Sequence, residues 1–353
     1  MPLRIGFAYN QKPDEDGGTT DEPPSSRPPS GESDDRFAEW DDAATIDAVE
    51  AALERAGVVI RLEADLDFPQ KLRDANPDIV FNIAEGLNGR NREAHVPAIC
   101  EFYDIPFTAS DASTLSIALD KARAKEVFLA RGVATPAWTI SSDGSDFDQL
   151  WERGAGQWIV KPLYEGSSKG IPQRALCESR DDVARQVEEI RRAYHQPALV
   201  EEFMPGREFT ASIVGNGAGA RILPLVEIRF DALPIGAAPL YGYEAKWVWD
   251  TKDNPLRIFE CPASLDERLA ERIEDVSLAA YHALGCRDWS RIDLRLDAAG
   301  MPHVLEINPL PGILPDPAQN SCFPKAARAA GLDYEDLILC VLDVGLARYG
   351  MTR

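Results

Sequence analysis

Three side chains that carry oxygen ligands, Asp293, Glu306 and Asn308, lie in two short runs of alternating apolar residues. The runs, RIDLRLD and PHVLEIN, flank a turn-like AAG and predict an antiparallel β-hairpin. Pairing the two strands brings the three side chains together, with Arg291 beside them. Mg²⁺ prefers hard oxygen ligands and keeps several waters, so the pattern predicts one or two such ions bridged by phosphates. The alternative is a set of solvated acids on an exposed face.

Two further segments are suited to binding a nucleotide. WIVKPLYEGSSKGI, residues 158–171, takes Lys161 out of a strand into a Gly-Ser loop whose backbone N–H groups can approach an anion. LVEEFMPGREF places Glu201, Glu202 and Glu208 around a turn, where they can accept bonds from a base or a ribose. Taken alone, the first segment is explained equally well as a solvated turn. The second segment is more simply explained as ordinary solvated charge.

Composition restricts the classes of partner. The chain has 353 residues, a formal charge of −22, and six scattered cysteines without a C-x-x-C pair. The negative charge disfavours nucleic acid and anionic membranes, no apolar run is long enough to span a bilayer, and no signal peptide opens the sequence. We therefore expect a cytoplasmic protein with reduced thiols that binds small molecules.

The hydrophobic patterns predict an α/β protein of three domains. A β–α–β–α–β order at the start indicates a parallel sheet covered by helices, interrupted by an acidic, Pro-rich loop at residues 11–42. We expect an N-terminal domain over residues 1–118, a central domain over 119–207 and a C-terminal domain over 208–353.

The motifs IVKPLYEGSSKGI, LVEEFMPGREFT, YGYEAKW, RIDLRLD and VLEINPLPG follow one another in an order that resembles the ATP-grasp superfamily. Within it, residues 80–345 resemble the D-alanine–D-alanine ligase family. The resemblance implies an N-terminal Rossmann-like domain before the ATP-grasp pair. It implies that ATP lies between the last two domains and that the substrates meet where all three converge. It also implies an enzyme of peptidoglycan biosynthesis that joins two D-alanines through an acyl phosphate, converts ATP to ADP and phosphate, and can be a homodimer.

The resemblance also assigns roles to single residues. The phosphates of ATP would contact Lys121 and Lys161, and the base and ribose would contact Glu201, Glu202, Phe203, Met204 and Glu208. Two Mg²⁺ ions, with Mn²⁺ as a substitute, would bind Asp293, Glu306 and Asn308. Lys246 would reach the γ-phosphate, Arg291 and the Gly312 N–H would stabilise the oxyanion, and Ser167 would lie in the closing loop. Ser321 would hold the second substrate's carboxylate, and Glu85 stands where the family has a histidine.

The N-terminal half departs from the family pattern. The family's G-G-x-S-x-E-R-E-V-S segment is missing, and Glu39 is only a loose candidate for its substrate-binding glutamate. Trp247 replaces the tyrosine that follows the γ-phosphate lysine, which removes a hydroxyl from the Ser167 network. These departures leave open a ligase for another amino acid or a short peptide, and a non-catalytic nucleotide-binding module. The loop at 11–42 is either a solvated insertion or an element that recognises a basic or peptidic substrate.

Overall fold

The N-terminal part of the chain is a small parallel sheet with helical crossovers. The computed structural model describes residues 2–13, 37–154, 156–250 and 255–353. The elements are β1 (Leu3–Tyr9), α1 (Ala43–Glu54), β2 (Gly57–Glu63), α2 (Phe68–Ala75) and β3 (Ile79–Asn82). The strands pair in parallel in the order β2-β1-β3, as the sequence pattern predicts. Every residue of β3 is buried, because helices and neighbouring loops cover both faces of the sheet.

The two described ends of the acidic Pro-rich segment meet beside β1. The N–H of Lys12 donates to the carbonyl of Asp41 at 2.8 Å, and the N–H of Asp41 donates to the carbonyl of Asn10 at 3.1 Å. The Asp42 side chain then accepts from the N–H of Thr45 and caps α1. Residues 14–36 of the predicted loop lie outside the described residues. The paired ends place both flanks of the segment at one point on the sheet edge.

Three helices lead from the first sheet to the rest of the molecule. They are α3 (His95–Phe102), α4 (Ala112–Leu119) and α5 (Lys121–Ala130). Asp111 caps α4 and Asp120 caps α5, each by accepting a backbone N–H three residues further on. A side-chain cap therefore fixes the point at which each of these two helices begins, and Lys121 becomes the first residue of α5.

The central part is a four-stranded antiparallel sheet. Its elements are β4 (Trp138–Ser141), α6 (Asp148–Trp151), β5 (Trp158–Pro162), β6 (Leu176–Cys177), α7 (Arg180–Tyr194) and β7 (Ala198–Glu202). The strand order is β4-β7-β5-β6. Helix α7 buries Val183, Val187 and Ile190, which helical spacing puts on one face, against this sheet.

The C-terminal part contains a six-stranded antiparallel sheet flanked by three helices. Its elements are β8 (Glu208–Val214), β9 (Arg221–Ile222), β10 (Val226–Ile228), β11 (Phe259–Glu260), α8 (Glu267–Leu284), β12 (Trp289–Leu296), β13 (Pro302–Asn308), α9 (Cys322–Ala329) and α10 (Tyr334–Arg348). The order is β11-β10-β8-β12-β13, with β9 paired to β8. Strands β12 and β13 form the predicted hairpin.

The three sheets confirm the α/β class, and we propose that the domain boundaries lie near residues 118 and 207. Helix α5 connects the units, because its Phe128 lies in one core with Tyr281 of α8. All six cysteines are free thiols. None of the helices in the described ranges combines the length and the apolar character that crossing a membrane requires.

Candidate active site

The β12–β13 hairpin brings the predicted oxygen ligands together. Asp293 stands directly opposite Glu306, and Arg291 stands opposite Asn308. The guanidinium of Arg291 donates to both carboxylate oxygens of Asp293, at 3.0 Å from Nε and 2.8 Å from Nη2. Asn308 Nδ2 and Thr210 Oγ1 also donate to this carboxylate, at 3.3 Å and 2.6 Å. The four predicted side chains therefore form one polar cluster on one face of the sheet.

The second carboxylate of the cluster is surrounded by positive charge. Burial alone would raise the pKa of Glu306, but the charges of Lys121, Lys161 and Arg291 outweigh burial and lower that pKa to about 2. Lys121 Nζ lies 3.6 Å from the Glu306 carboxylate. Glu306 is thus held as an anion, as a cation ligand must be.

The donor set of this cluster fits Mg²⁺. Carboxylate and amide oxygens are its preferred protein ligands, and Asp293 and Glu306 face each other on neighbouring strands. Across the described residues, no group of three or more His, Cys, Asp or Glu side chains is arranged to hold a metal ion alone. An ion between the two carboxylates would therefore complete its shell with the Asn308 amide, phosphate oxygens and water.

A cavity of about 530 Å³ opens in front of the hairpin. Fourteen of the sixteen predicted site residues line it, which brings residues distant in sequence to one place. They are Lys121, Lys161, Ser167, Glu201, Glu202, Phe203, Met204, Glu208, Lys246, Arg291, Asp293, Glu306, Gly312 and Ser321. The other two, Asn308 and Glu85, are described by the structure but stand outside the lining. Asn308 contacts the site through Asp293.

At one end of the cavity a buried carboxylate holds two lysines. Glu201 Oε1 is 2.6 Å from Lys161 Nζ, and Glu201 Oε2 is 2.9 Å from Lys125 Nζ. The side chains of Lys125 and Glu201 are each 1% exposed. Burial lowers the pKa of Lys125 to about 8, although the Glu201 charge opposes this shift. Sequence reasoning missed Lys125, whose signal was its position one helical turn after Lys121 on α5.

The predicted ribose contact, Glu208, is also paired inside the protein. Arg295 Nη1 lies 3.0 Å from its carboxylate. Burial raises the pKa of Glu208 to about 7, in spite of the opposing charge of Arg295. Arg295 is itself buried and lies over the ring of Phe203 at 4.5 Å, so it ties the strand β8 to the loop that follows β7. No motif or spacing in the sequence indicates a role for Arg295.

The Gly-Ser loop after β5 approaches the lysine that was predicted to reach the γ-phosphate. Ser167 and Ser168 adopt left-handed backbone angles, with φ of 52° and 60°. Trp247 Nε1 donates to the Ser167 carbonyl at 3.1 Å. The replacement of tyrosine by tryptophan therefore removes a hydroxyl but leaves a hydrogen bond to Ser167. Lys246 lies beside it in a π-helical turn, Ala245–Trp249.

The loop between β13 and α9 places the predicted acceptor residues. The hydroxyl of Ser321 donates to the Gly312 carbonyl at 3.1 Å and accepts from the Leu314 N–H at 3.2 Å. Both hydrogen bonds of the Ser321 side chain are therefore made within its own loop. Gly312, which is exposed, presents its backbone to the cavity.

The N-terminal part contributes a glutamate to the closing loop. Glu39 Oε1 accepts from the Gly166 N–H at 2.8 Å, and Glu39 Oε2 lies 2.7 Å from Arg92 Nη2 and 3.4 Å from Lys169 Nζ. Glu165 also pairs with Lys169. The sequence named Glu39 only as a loose candidate, because nothing local shows that these three partners surround it.

Glu85 lies next to this charged group. Burial raises the pKa of Glu85 well above its usual value, and the negative charges of Glu93 and Glu39 add to the effect. Burial also raises the pKa of Glu93 to about 7. Where the family pattern has a histidine, this chain therefore has a carboxyl whose pKa is raised by burial and by neighbouring negative charge.

The fold and the cavity define the class of protein. A four-stranded and a six-stranded antiparallel sheet bring lysines next to a carboxylate pair in one cavity, which is the ATP-grasp arrangement for activating a carboxylate with ATP. The comparisons with known proteins narrow this class. The family model described as "D-ala D-ala ligase C-terminus" matches residues 143–343.

Several relatives cover most of the chain. A protein of Sinorhizobium fredii named "Uncharacterized protein y4sG" is 35% identical over 320 residues, 88% of this chain and 90% of that protein. The D-alanine–D-alanine ligase of Bordetella avium is 33% identical over 295 residues, 83% of this chain and 86% of the relative.

Solved structures show the same fold. The D-alanine–D-alanine ligase of Bacillus anthracis complexed with ATP superposes with a TM-score of 0.71 at 24% identity, covering 99% of both chains. The VanG D-Ala:D-Ser ligase of Enterococcus faecalis gives a TM-score of 0.68 at 17% identity, covering 98% of this chain and 100% of that one. The chain belongs to the D-alanine–D-alanine ligase family, whose members are ATP-dependent ligases that form a peptide bond between amino-acid substrates.

Proposed function

We propose that this chain joins two D-alanine molecules, with ATP converted to ADP and phosphate. The observation that carries the proposal is the cavity in which Lys121, Lys161 and Lys246 face Asp293 and Glu306. Positive charge for a triphosphate and anionic oxygen for a divalent cation thus lie next to each other in one space, with Lys121 Nζ 3.6 Å from the Glu306 carboxylate. The relatives named as D-alanine–D-alanine ligases support D-alanine as the substrate.

The nucleotide would lie between the central and C-terminal sheets. Lys161 and Lys121 would contact its phosphates, and Glu201 with the backbone from Glu202 to Met204 would meet the base. Glu208 would hold the ribose. Two Mg²⁺ ions, with Mn²⁺ as a substitute, would bind Asp293, Glu306 and Asn308, and would neutralise charge on the phosphates.

The remaining residues would act on the reacting groups. Lys246 would hold the phosphoryl group while the first amino acid's carboxylate attacks it and an acyl phosphate forms. The Arg291 guanidinium and the Gly312 N–H would then stabilise the oxyanion that develops when the second amine attacks. The Ser167 loop would exclude water, which otherwise hydrolyses the acyl phosphate.

A second candidate is a ligase of the same mechanism for another amino acid or a short peptide. The observation that favours it is the pairing of Glu39 with Arg92 and Lys169, which leaves the unpaired acids Glu85 and Glu93 beside it. A donor pocket with these charges differs from one built around a histidine. We also propose a cytoplasmic setting, because six free thiols are typical of a reducing compartment.

The metal assignment is tested with isosteric variants. Asp293→Asn and Glu306→Gln remove one anionic ligand each and leave the shape of the hairpin unchanged. We expect each to lower ATP-dependent phosphate release by at least about 100-fold and to raise the Mg²⁺ concentration needed for half-maximal rate. Asp297→Asn, in the turn of the same hairpin and outside the cavity lining, is the matched control and should retain full activity. Unchanged activity in both site variants would remove the metal assignment.

A further inference from the structure

The loop between β13 and α9, residues 309–321, carries both groups assigned to the second half of the reaction. The Gly312 backbone would face the oxyanion, and Ser321 would face the carboxylate of the second substrate. The loop lacks regular secondary structure, so its shape depends on individual hydrogen bonds. The hydrogen bonds of the Ser321 hydroxyl with Gly312 and Leu314 hold the two ends of the loop together. Tyr334 OH also donates to the Ile313 carbonyl at 2.8 Å.

One side chain ties this loop to the opposite wall of the cavity. Asn320 Nδ2 donates to both carboxylate oxygens of Asp250, at 2.8 Å and 2.9 Å, and to the Leu256 carbonyl at 2.8 Å. Asn320 immediately precedes Ser321 in the chain. The Asn320 amide therefore fixes the loop to the cavity wall next to the hydroxyl of Ser321, which is predicted to bind the second substrate.

Asp250 is held in place from three other directions. It follows the π-helical turn that contains Lys246, and its N–H donates to the Ala245 carbonyl at 3.0 Å. Its carboxylate accepts from Tyr241 OH at 3.0 Å and from the Leu256 N–H at 2.9 Å. A carboxylate with this many donors has a fixed orientation, so Asn320 binds to a rigid acceptor.

The same anchor reaches the closing loop. Ser168 Oγ donates to the carbonyl of Tyr241 at 2.9 Å, and the Tyr241 side chain contacts Asp250. Three segments thus meet at Tyr241 and Asp250: the closing loop, the Lys246 turn and the acceptor loop. Asp250, Asn320 and Tyr241 also line the cavity, so the junction is part of the site's wall.

We propose that Asp250 and Asn320 are positioning residues that hold the acceptor loop in register with the Lys246 turn, so that the second amine, and not water, reaches the acyl phosphate. The inference rests on the proposed ligase function and concerns its second half-reaction. Attack by the amine forms a C–N bond, breaks the bond between the acyl carbon and the phosphate oxygen, and releases phosphate and a proton. Attack by water breaks the same bond and returns the first amino acid.

The two outcomes differ in stoichiometry. In the intact protein we expect one phosphate released per dipeptide formed. In Asn320→Ala the loop loses its bonds to Asp250 and Leu256, while all lysines and the carboxylate pair remain. Loss of a hydrogen bond to a charged group corresponds to roughly a tenfold effect. We therefore expect the apparent KM of the second amino acid to rise about tenfold and the ratio of phosphate to dipeptide to rise several-fold, with KM for ATP unchanged.

The exchange Asp250→Asn with Asn320→Asp tests whether the pair itself matters. It reverses the direction of the bond between positions 250 and 320, and the new Asn oxygen still accepts a bond from Tyr241 or Leu256. The carboxylate at position 320 cannot donate to the Leu256 carbonyl, so we expect a partial recovery. We expect each single exchange to uncouple the reaction and the double exchange to return the ratio toward one. Ala318→Ser, at an exposed position of the same loop, is the control and should keep the ratio at one.

The measurement uses the full-length protein with ATP, Mg²⁺ and D-alanine, and follows phosphate by colour and dipeptide by mass. A ratio that stays at one in Asn320→Ala, or a double exchange no better than the singles, would overturn the positioning role. Absence of both products in the unmodified protein would instead count against the proposed function, so the two failures are distinguishable. Thermal unfolding of each variant shows whether a lost activity reflects a lost fold.

Discussion

Lys246 illustrates how burial sets the charge of a single residue in this site. Burial lowers the pKa of its amine to about 8, and the nearby Arg291 charge adds to the effect. Glu306 opposes this shift but does not cancel it. The lysine that is proposed to hold the transferring phosphoryl group is therefore charged at neutral pH and loses its proton in a mildly alkaline range.

The lowered pKa of Lys246 predicts that activity depends on pH. Below pH 8 the Lys246 amine is protonated, and above pH 8 its charged fraction falls about tenfold per pH unit. Because kcat/KM for ATP reports groups of the free enzyme, we expect this quantity to fall with a slope of one above about pH 8. Steady-state kinetics between pH 6.5 and 9.5 measures it.

Lys246→Arg is the matched variant, since a guanidinium keeps its charge throughout this range. Its activity should be lower, and the limb of slope one should disappear, which leaves only the smaller fall that Lys125, whose pKa is also about 8, contributes. An alkaline limb of the same midpoint and the same slope in both proteins would assign the titration to another group and contradict the role given to Lys246.

Prediction from sequence at this scale worked for residues that share a local pattern. Asp293 and Glu306 were found because strand alternation alone places them on one face. Glu39 could not be assigned to the site from sequence, because its partners Arg92 and Lys169 are distant in the chain. The hydrogen bond from Trp247 to Ser167 was missed for a different reason. The sequence shows that a hydroxyl is lost when tryptophan replaces tyrosine. Only the structure shows that the indole N–H of Trp247 donates to Ser167.

Helix α5 shows how an element positions two charges at once. Lys121 and Lys125 are one turn apart on it, so they point in a similar direction. Lys121 approaches Glu306, and Lys125 pairs with Glu201 across the central sheet. Lys125 also donates to Thr135 Oγ1 at 2.6 Å. Glu201 is therefore paired with two lysines, and we propose that Lys125 compensates its charge when Lys161 contacts a phosphate.

Lys125→Met tests this role of the helix. The variant keeps most of the side-chain volume but removes one of the two cations on a buried carboxylate. We expect the free energy of unfolding to fall by about 2 kcal/mol and the KM for ATP to rise, with kcat changed less. Denaturant unfolding and initial-rate kinetics measure the two quantities. Arg123→Met, on the exposed side of the same helix, is the control. Equal effects of the two substitutions would contradict the proposed pairing.

The elements themselves were largely predictable. The hairpin, the first three strands and the helices α1, α7 and α8 follow from apolar periodicity, because each buries one face or one stripe. The acceptor loop was not predictable in shape. Its form depends on Asn320, Asp250 and Tyr334, and no periodic pattern encodes contacts among residues so far apart.

At the scale of the whole molecule, three sheets converge on one cavity. The central and C-terminal sheets supply the residues that fit the family pattern. The connecting segments of the N-terminal part carry the departures, Glu39 before α1 and Glu85 after β3. Arg92 of the same part donates to the Tyr164 carbonyl at 3.1 Å. The N-terminal part therefore contacts the loop that carries Ser167.

The order of the domains and their expected convergence follow from motif order and the family resemblance, whereas the contacts between the domains do not. Strand and helix patterns are local, but the meeting of Glu39 with Gly166 depends on how two sheets pack. For the same reason the amino-acid pocket was the least predictable part of the molecule. Its walls come from all three regions, and its charges differ from the family pattern at the N-terminal wall.

The central claim is ATP-dependent joining of two D-alanines, and an amino-acid panel tests it most directly. The purified protein is incubated with ATP, Mg²⁺ and single or paired D- and L-amino acids, and phosphate and product mass are followed together. The account predicts that D-alanine alone yields D-alanyl-D-alanine with one phosphate per dipeptide, and that omission of Mg²⁺ stops both. Turnover with some other pair but none with D-alanine would contradict the proposed substrate, and no turnover with any pair would contradict the proposed activity.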